Sequence, residues 1–157
     1  MSFKLQFIHS IDSIDLSLMR VNSPFFSRSF WQALESTGAI SQSTGWVAQH
    51  VLLTRDDVQI ACMPLFVKNH HRGEYVFDYA WAQAYSDHGL DYYPRLVTCV
   101  PFSPVIGARV WLADGVDLAE VLPYLLRGVR QLAQQLNASS WHGLFWDELS
   151  LAALNDD

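Results

Sequence analysis

Residues 46–68 read WVAQHVLLTRDDVQIACMPLFVK, and their pattern decides the architecture. Trp46 to Thr54 and Gln59 to Lys68 are apolar on both faces instead of alternating apolar with polar. Strands of that kind belong to a sheet covered on both sides. Arg55, Asp56 and Asp57 make a polar turn between them, so the pair reads as an antiparallel hairpin. Pro64 falls inside the second strand, where its missing N–H predicts a bulge or an edge.

Working outward, Phe3, Leu5 and Phe7 alternate with Lys4, Gln6 and Ile8, which predicts a short strand with one face mostly buried. Ile14 to Met19 fits one or two helical turns. The segment NSPFFSRSFWQALESTG places Phe26, Phe30 and Leu34 at four-residue spacing, with Ser27 as N-cap and Gly38 as the stop. Leu96 to Val100 and Val110 to Leu112 read as short strands, and Trp141 to Trp146 as a last one. Leu118, Val121, Leu122, Leu125, Val129, Leu132, Ala133 and Leu136 form one stripe, predicting a helix from about Asp117 to Asn137. Asp117 with Glu120 fits a capped start, while Pro123 asks for a kink or a start nearer Glu120. The predicted class is α/β (α+β), a mixed sheet with helices packed on it, in one domain over residues 1–157.

Half of the 157 residues are apolar, enough for one sizeable core. A net charge of −6 without any Lys/Arg run argues against nucleic-acid binding by this chain. Cys62 and Cys99 stand alone in apolar runs and read as buried, reduced thiols. The six histidines show no metal-ligand spacing, so no metal site is predicted. No G-x-G-x-x-G or P-loop occurs. No signal peptide is read, and the longest apolar run, Ile60 to Val67, is far below the ~20 residues of a membrane span. The expectation is a soluble, cytoplasmic protein without membrane contact.

The chemistry concentrates in residues 73–96, GEYVFDYAWAQAYSDHGLDYYPRL, which hold five of the six tyrosines. A core could be built from Leu and Val, which bring no hydroxyl needing a partner. Asp78, Asp87, Asp91 and His88 among Tyr75, Trp81, Tyr85, Tyr92 and Tyr93 suit a pocket for a polar substrate, with stacking faces and orienting tips. The alternative is a loop sealed over the sheet by its own aromatics. The segment PFSPVIGARV is stiffened by Pro101 and Pro104 and freed at Gly107; it either lines a ligand or simply connects two strands.

These segments, with SSWHGLFWDE near the end, resemble the FemAB-like proteins, predicted N-acyltransferases of peptidoglycan biosynthesis or recognition, over roughly Asn22 to Asp147. The resemblance implies a GNAT-like fold, a mixed, largely antiparallel twisted sheet flanked by helices. It implies acyl or aminoacyl transfer to an amine of a peptidoglycan precursor or a similar polar acceptor, from a donor such as aminoacyl-tRNA or acyl-CoA. The chain would correspond to the first half of a longer family protein, completed by a second GNAT-like half or by another copy. The acetyl-CoA loop of ordinary GNAT enzymes, Q/R-x-x-G-x-G/A before a helix, is not matched: its three defined positions are occupied by Pro104, Gly107 and Arg109, and about ten residues separate Gly107 from the helix at Asp117. On this reading the chain supplies an acceptor-side pocket. Asp78 or Asp87 would bind the acceptor ammonium, His88 would take its proton, and Tyr85, Tyr92 and Trp81 would stack on the substrate. Tyr75, Asp91, Tyr93, Pro104, Gly107 and Arg109 would complete the lining. The rival is a muropeptide-binding module without chemistry.

Overall fold

The hairpin that reads as doubly covered is the spine of the protein. The computed structural model describes residues 1–19 and 23–155; Asn22, where the segment NSPFF begins, lies outside them. Eight strands are described: β1 Phe3–Ile8, β2 Trp46–Ala48, β3 His50–Arg55, β4 Val58–Met63, β5 Phe66–Lys68, β6 Arg95–Thr98, β7 Trp111–Leu112 and β8 Trp141–Gly143. Four α-helices accompany them: α1 Arg28–Ser36, α2 Tyr79–Asp87, α3 Leu118–Leu136 and α4 Glu148–Asn155. Instead of one mixed sheet there are two of four strands, ordered β1-β3-β4-β7 and β2-β5-β6-β8, antiparallel except for the parallel pair β6–β8.

One long hairpin runs through both sheets. Its arms break at Gln49 and at Pro64–Leu65, yet the register carries across, from Ala48↔Phe66 to Val51↔Met63. Pro64 therefore interrupts the ladder without adding a residue. The gap is bridged locally: Gln49 N–H donates to the Leu65 carbonyl at 2.8 Å, and Leu65 N–H donates to Nδ1 of buried His50 at 3.1 Å. The irregularity lies four residues earlier, where Leu53↔Ala61 shifts to Thr54↔Gln59 and Ile60 becomes the extra residue. The hairpin closes in a two-residue turn with Asp56 and Asp57 both at positive φ, 49° and 66°.

Alternation along the strands sends residues to two cores. Val51, Leu53, Ala61 and Met63 join Val121, Leu125, Val129 and Leu132 of α3. Leu52 and Cys62 join Trp31 of α1, Trp46, Phe66 and Trp111. The indole N–H groups of Trp31 and Trp111 donate to the carbonyls of Phe25 and Phe26, each at 3.0 Å, so neither is stranded by burial. Burial of Cys62 and Cys99, both free thiols, pushes their pKa values up, that of Cys99 to about 12.

The helix ends follow their caps. Ser27 Oγ accepts from Phe30 N–H at α1, and Gly38 follows it at φ 75°. Asp117 accepts from Ala119 N–H at α3, but Glu120 turns to Arg55 at 2.9 Å instead of closing a capping box. α3 starts at Leu118 with Pro123 inside it, so no later start is needed, and Asn137 ends it in the left-handed region. Ile14 to Met19, read as helical turns, contains the 3₁₀ turn Leu16–Leu18. α2 and α4 are not anticipated by periodicity: α2 buries no residue, and α4 only Ser150, so neither shows an apolar stripe. Among the described residues no helix is long and apolar enough to cross a membrane.

Candidate ligand-binding surface

β5 ends on Lys68 and β6 begins on Arg95, directly opposite one another in the antiparallel register. Both are fully buried. Like charges facing each other across a ladder repel, and burial raises the cost. The excursion between the strands, residues 69–94, answers this by returning two carboxylates. Arg95 Nη2 donates to Glu74 Oε2, and its Nη1 lies 2.7 Å from Asp78 Oδ2. Tyr92 O–H donates to the same Asp78 oxygen at 2.8 Å, with His142 Nδ1 at 3.9 Å. Lys68 Nζ donates to the Arg72 carbonyl at 3.1 Å and sits 3.6 Å above the Trp46 ring. Burial pushes Lys68 down to about 8 and Glu74 up to about 7, and it raises the Tyr92 phenol.

This ion network anchors the root of the excursion and leaves its outer part in solvent. Asp78 stands at the N-cap of α2 but gives no capping bond, because its carboxylate is engaged with Arg95 and Tyr92. Beyond it, Tyr75 is 55 % exposed, Phe77 70 %, Tyr79 61 % and Trp81 67 %, in a chain whose Trp31, Trp46 and Trp111 are buried. His71, Arg72, Gly73, Tyr75, Phe77 and Tyr79 line a cavity of about 330 Å³.

The other residues singled out in the sequence fall in separate places. Asp87 and His88 are exposed at the C-terminal end of α2, where Asp87 accepts from Gln83 Nε2 at 2.7 Å. Tyr85 packs edge-on against Tyr92, at 5.2 Å, and Tyr92 against Tyr93, at 5.0 Å. Asp91 is exposed. Asp78, Tyr92 and Tyr93 thus gather around Arg95, while Asp87 and His88 stand outside that cluster.

The PFSPVIGARV loop touches the excursion at one end. Phe102 N–H donates to the Gly73 carbonyl at 3.0 Å, and a Cβ on Gly73 would lie 2.7 Å from the Phe102 ring. The rest of the loop turns elsewhere. Pro104 is exposed, and Gly107 N–H donates to the Phe145 carbonyl at 3.1 Å. Arg109 is buried, its guanidinium donating to the carbonyls of Val105, Gly107, Ala108, Leu144 and Phe145. The cavity of about 100 Å³ beside Gly107 and Arg109 is lined by Phe25, Phe26 and Val105, and by none of the tyrosines of the excursion.

Lys68, Arg72, Glu74, Arg95, His71, Phe77 and Tyr79 also belong to this surface, although no local motif marks them. One signal was present: Lys68 and Arg95 are single cations beside otherwise apolar strands, an arrangement that demands carboxylates from elsewhere. Among the described residues no three His, Cys, Asp or Glu side chains gather as a metal-ligand set.

Residues 8–157 match the model of the FemAB-like family, described as peptidoglycan biosynthesis/recognition. No curated protein and no solved structure is significantly similar to the chain.

Proposed function

We propose that this chain, which belongs to the FemAB-like family of peptidoglycan biosynthesis/recognition, supplies the acceptor side of an N-acyltransferase acting on an amine of a peptidoglycan precursor or similar polar acceptor. One observation carries the reading. The excursion of residues 69–94 spends two carboxylates on anchoring itself to Arg95 and then holds four large aromatic side chains out in water. Exposed aromatic surface of that density is costly unless it is covered by a ligand.

In this reading the ring faces hold the acceptor, and Asp87, the carboxylate free of the buried network, takes the ammonium. His88 takes one proton from that ammonium, the neutral amine attacks the acyl carbonyl, and the second N–H proton passes to the leaving thiolate of CoA or hydroxyl oxygen of tRNA as the amide bond forms. The donor, an acyl-CoA or an aminoacyl-tRNA, would approach from a surface that this chain need not provide alone. A second reading, a muropeptide-binding module without transfer, is favoured by the engagement of Asp78 and Tyr92 in the ion network, which removes two of the proposed site groups from chemistry.

The test is mass spectrometry of an amine-bearing muropeptide after incubation with the chain and acyl-CoA or aminoacyl-tRNA. A donor-dependent mass gain that falls in His88→Gln supports the enzyme. Binding without any mass gain refutes transfer by this chain and leaves the module.

A further inference from the structure

Arg72 is the cation that the ion network leaves over. Lys68 and Arg95 are buried and matched by Glu74 and Asp78, whereas Arg72 is exposed and its guanidinium has no hydrogen-bond or ion-pair partner among the described residues. It lines the 330 Å³ cavity described above, next to His71, and it also borders a second of about 340 Å³ walled by Thr44, Trp46, His70 and Phe102.

The remaining walls are flat. The rings of Phe77 and Tyr79 lie within 7° of parallel with centroids 6.1 Å apart. The His71 ring stands across them, at 71° to Tyr79 and 64° to Phe77, 4.5 Å and 6.4 Å away. The position of this corner is set from behind. Gly73, at φ 84°, is pressed against Phe102 so closely that a side chain there would displace one or the other. A guanidinium offers a planar fork for phosphate or carboxylate, and aromatic faces offer stacking for a ring. A cationic ligand, which aromatic walls alone would suit, is repelled by Arg72.

We infer that this cavity is a subsite for a ring that carries an anionic group: the ring stacks on Phe77 and Tyr79, and the phosphate or carboxylate is held by Arg72 with a further N–H from His71. The inference rests on reading the aromatic surface as a ligand wall. It does not depend on acyl transfer.

Calorimetric titration of the whole chain tests it with five probes: uridine monophosphate, glucose 1-phosphate, benzoate, uridine and inorganic phosphate. At least one ring anion is expected to bind about tenfold or more tightly than both uridine and inorganic phosphate, since ring and anion contacts act together. Which of the three ring anions binds best identifies the ring and the anion. Arg72→Gln and Phe77→Ala should each weaken that binding about tenfold at an unchanged thermal midpoint, because both side chains are exposed. Equal binding of inorganic phosphate and the ring anions, binding indifferent to Arg72→Gln, or no binding of any ring anion would each overturn the inference. Binding is read without a donor, so ring-anion binding without transfer refutes only the enzyme, and transfer without ring-anion binding refutes only the subsite.

Discussion

Gly128→Ala is a substitution whose sign depends on the tertiary structure. In an isolated helix it should stabilise by roughly 1 kcal/mol, the difference in helix propensity. Gly128, however, lies on the buried face of α3, and a Cβ built there falls 2.7 Å from Val51 Cγ1 and 3.8 Å from Leu5 Cδ1. Ordinary carbon contacts sit at about 3.5–4.0 Å, so the overlap with Val51 is about 1 Å. Val51 is fully buried on β3 and β-branched, with little rotamer freedom to move aside. The helix cannot lift off locally either, because Leu125, Val129 and Leu132 hold it in the same core. Overpacking of this kind costs roughly 1–3 kcal/mol. Against the propensity gain of roughly 1 kcal/mol the expected outcome is a net loss of up to about 2 kcal/mol, a fall of up to about 8 °C in thermal midpoint for a chain of this size. The assay is thermal and urea unfolding of Gly128→Ala, Val51→Ala and the double variant. The double variant should be less destabilised than the two singles added together, because the truncated Val51 makes room for the new methyl. A midpoint raised by Gly128→Ala alone, or strict additivity in the double variant, would refute the close approach of α3 to β3.

Two further outcomes follow from buried polar groups. Burial holds His50 neutral and pushes its pKa down to about 3, while in the unfolded chain it protonates near its ordinary 6.5; its contribution is therefore intact above pH 6.5 and is lost as pH falls toward 3, by up to ~5 kcal/mol. Urea midpoints measured from pH 7.5 to 4.5 should fall more steeply for the wild type than for His50→Gln, and parallel slopes would contradict the assignment. Arg109→Lys should destabilise by ~2–4 kcal/mol, because one ammonium cannot replace a fork that serves five carbonyls around residues 105–109 and 144–145. Amide hydrogen exchange should then quicken at Gly107 and Asp147, and an unchanged midpoint with unchanged exchange would show that the carbonyls are satisfied without the guanidinium.

Short-range physics determined much of this protein. Apolar residues on both faces of 46–54 and 59–68 required a covered sheet, the 3.6-residue stripe from Leu118 to Leu136 required a helix to cover it, and Ser27 and Asp117 marked helix starts by their capping chemistry. The density of tyrosines, carboxylates and histidine in residues 73–96 was also legible as the place to look for a ligand, because its composition is a poor choice for a core. Tertiary structure alone decided how those residues were used. Alternation along a strand cannot say that one hairpin will pass through two sheets, since the break at Pro64 keeps the register and leaves no trace in the pattern. Nor can spacing reveal that Lys68 and Arg95, 27 positions apart, would face each other and claim Glu74 and Asp78, turning Asp78 inward and leaving Arg72 unmatched beside Phe77 and Tyr79. Charge pairing acts through space and not along the chain, so the division of this excursion into a buried anchor and an exposed aromatic surface appears only once the strands have found their register.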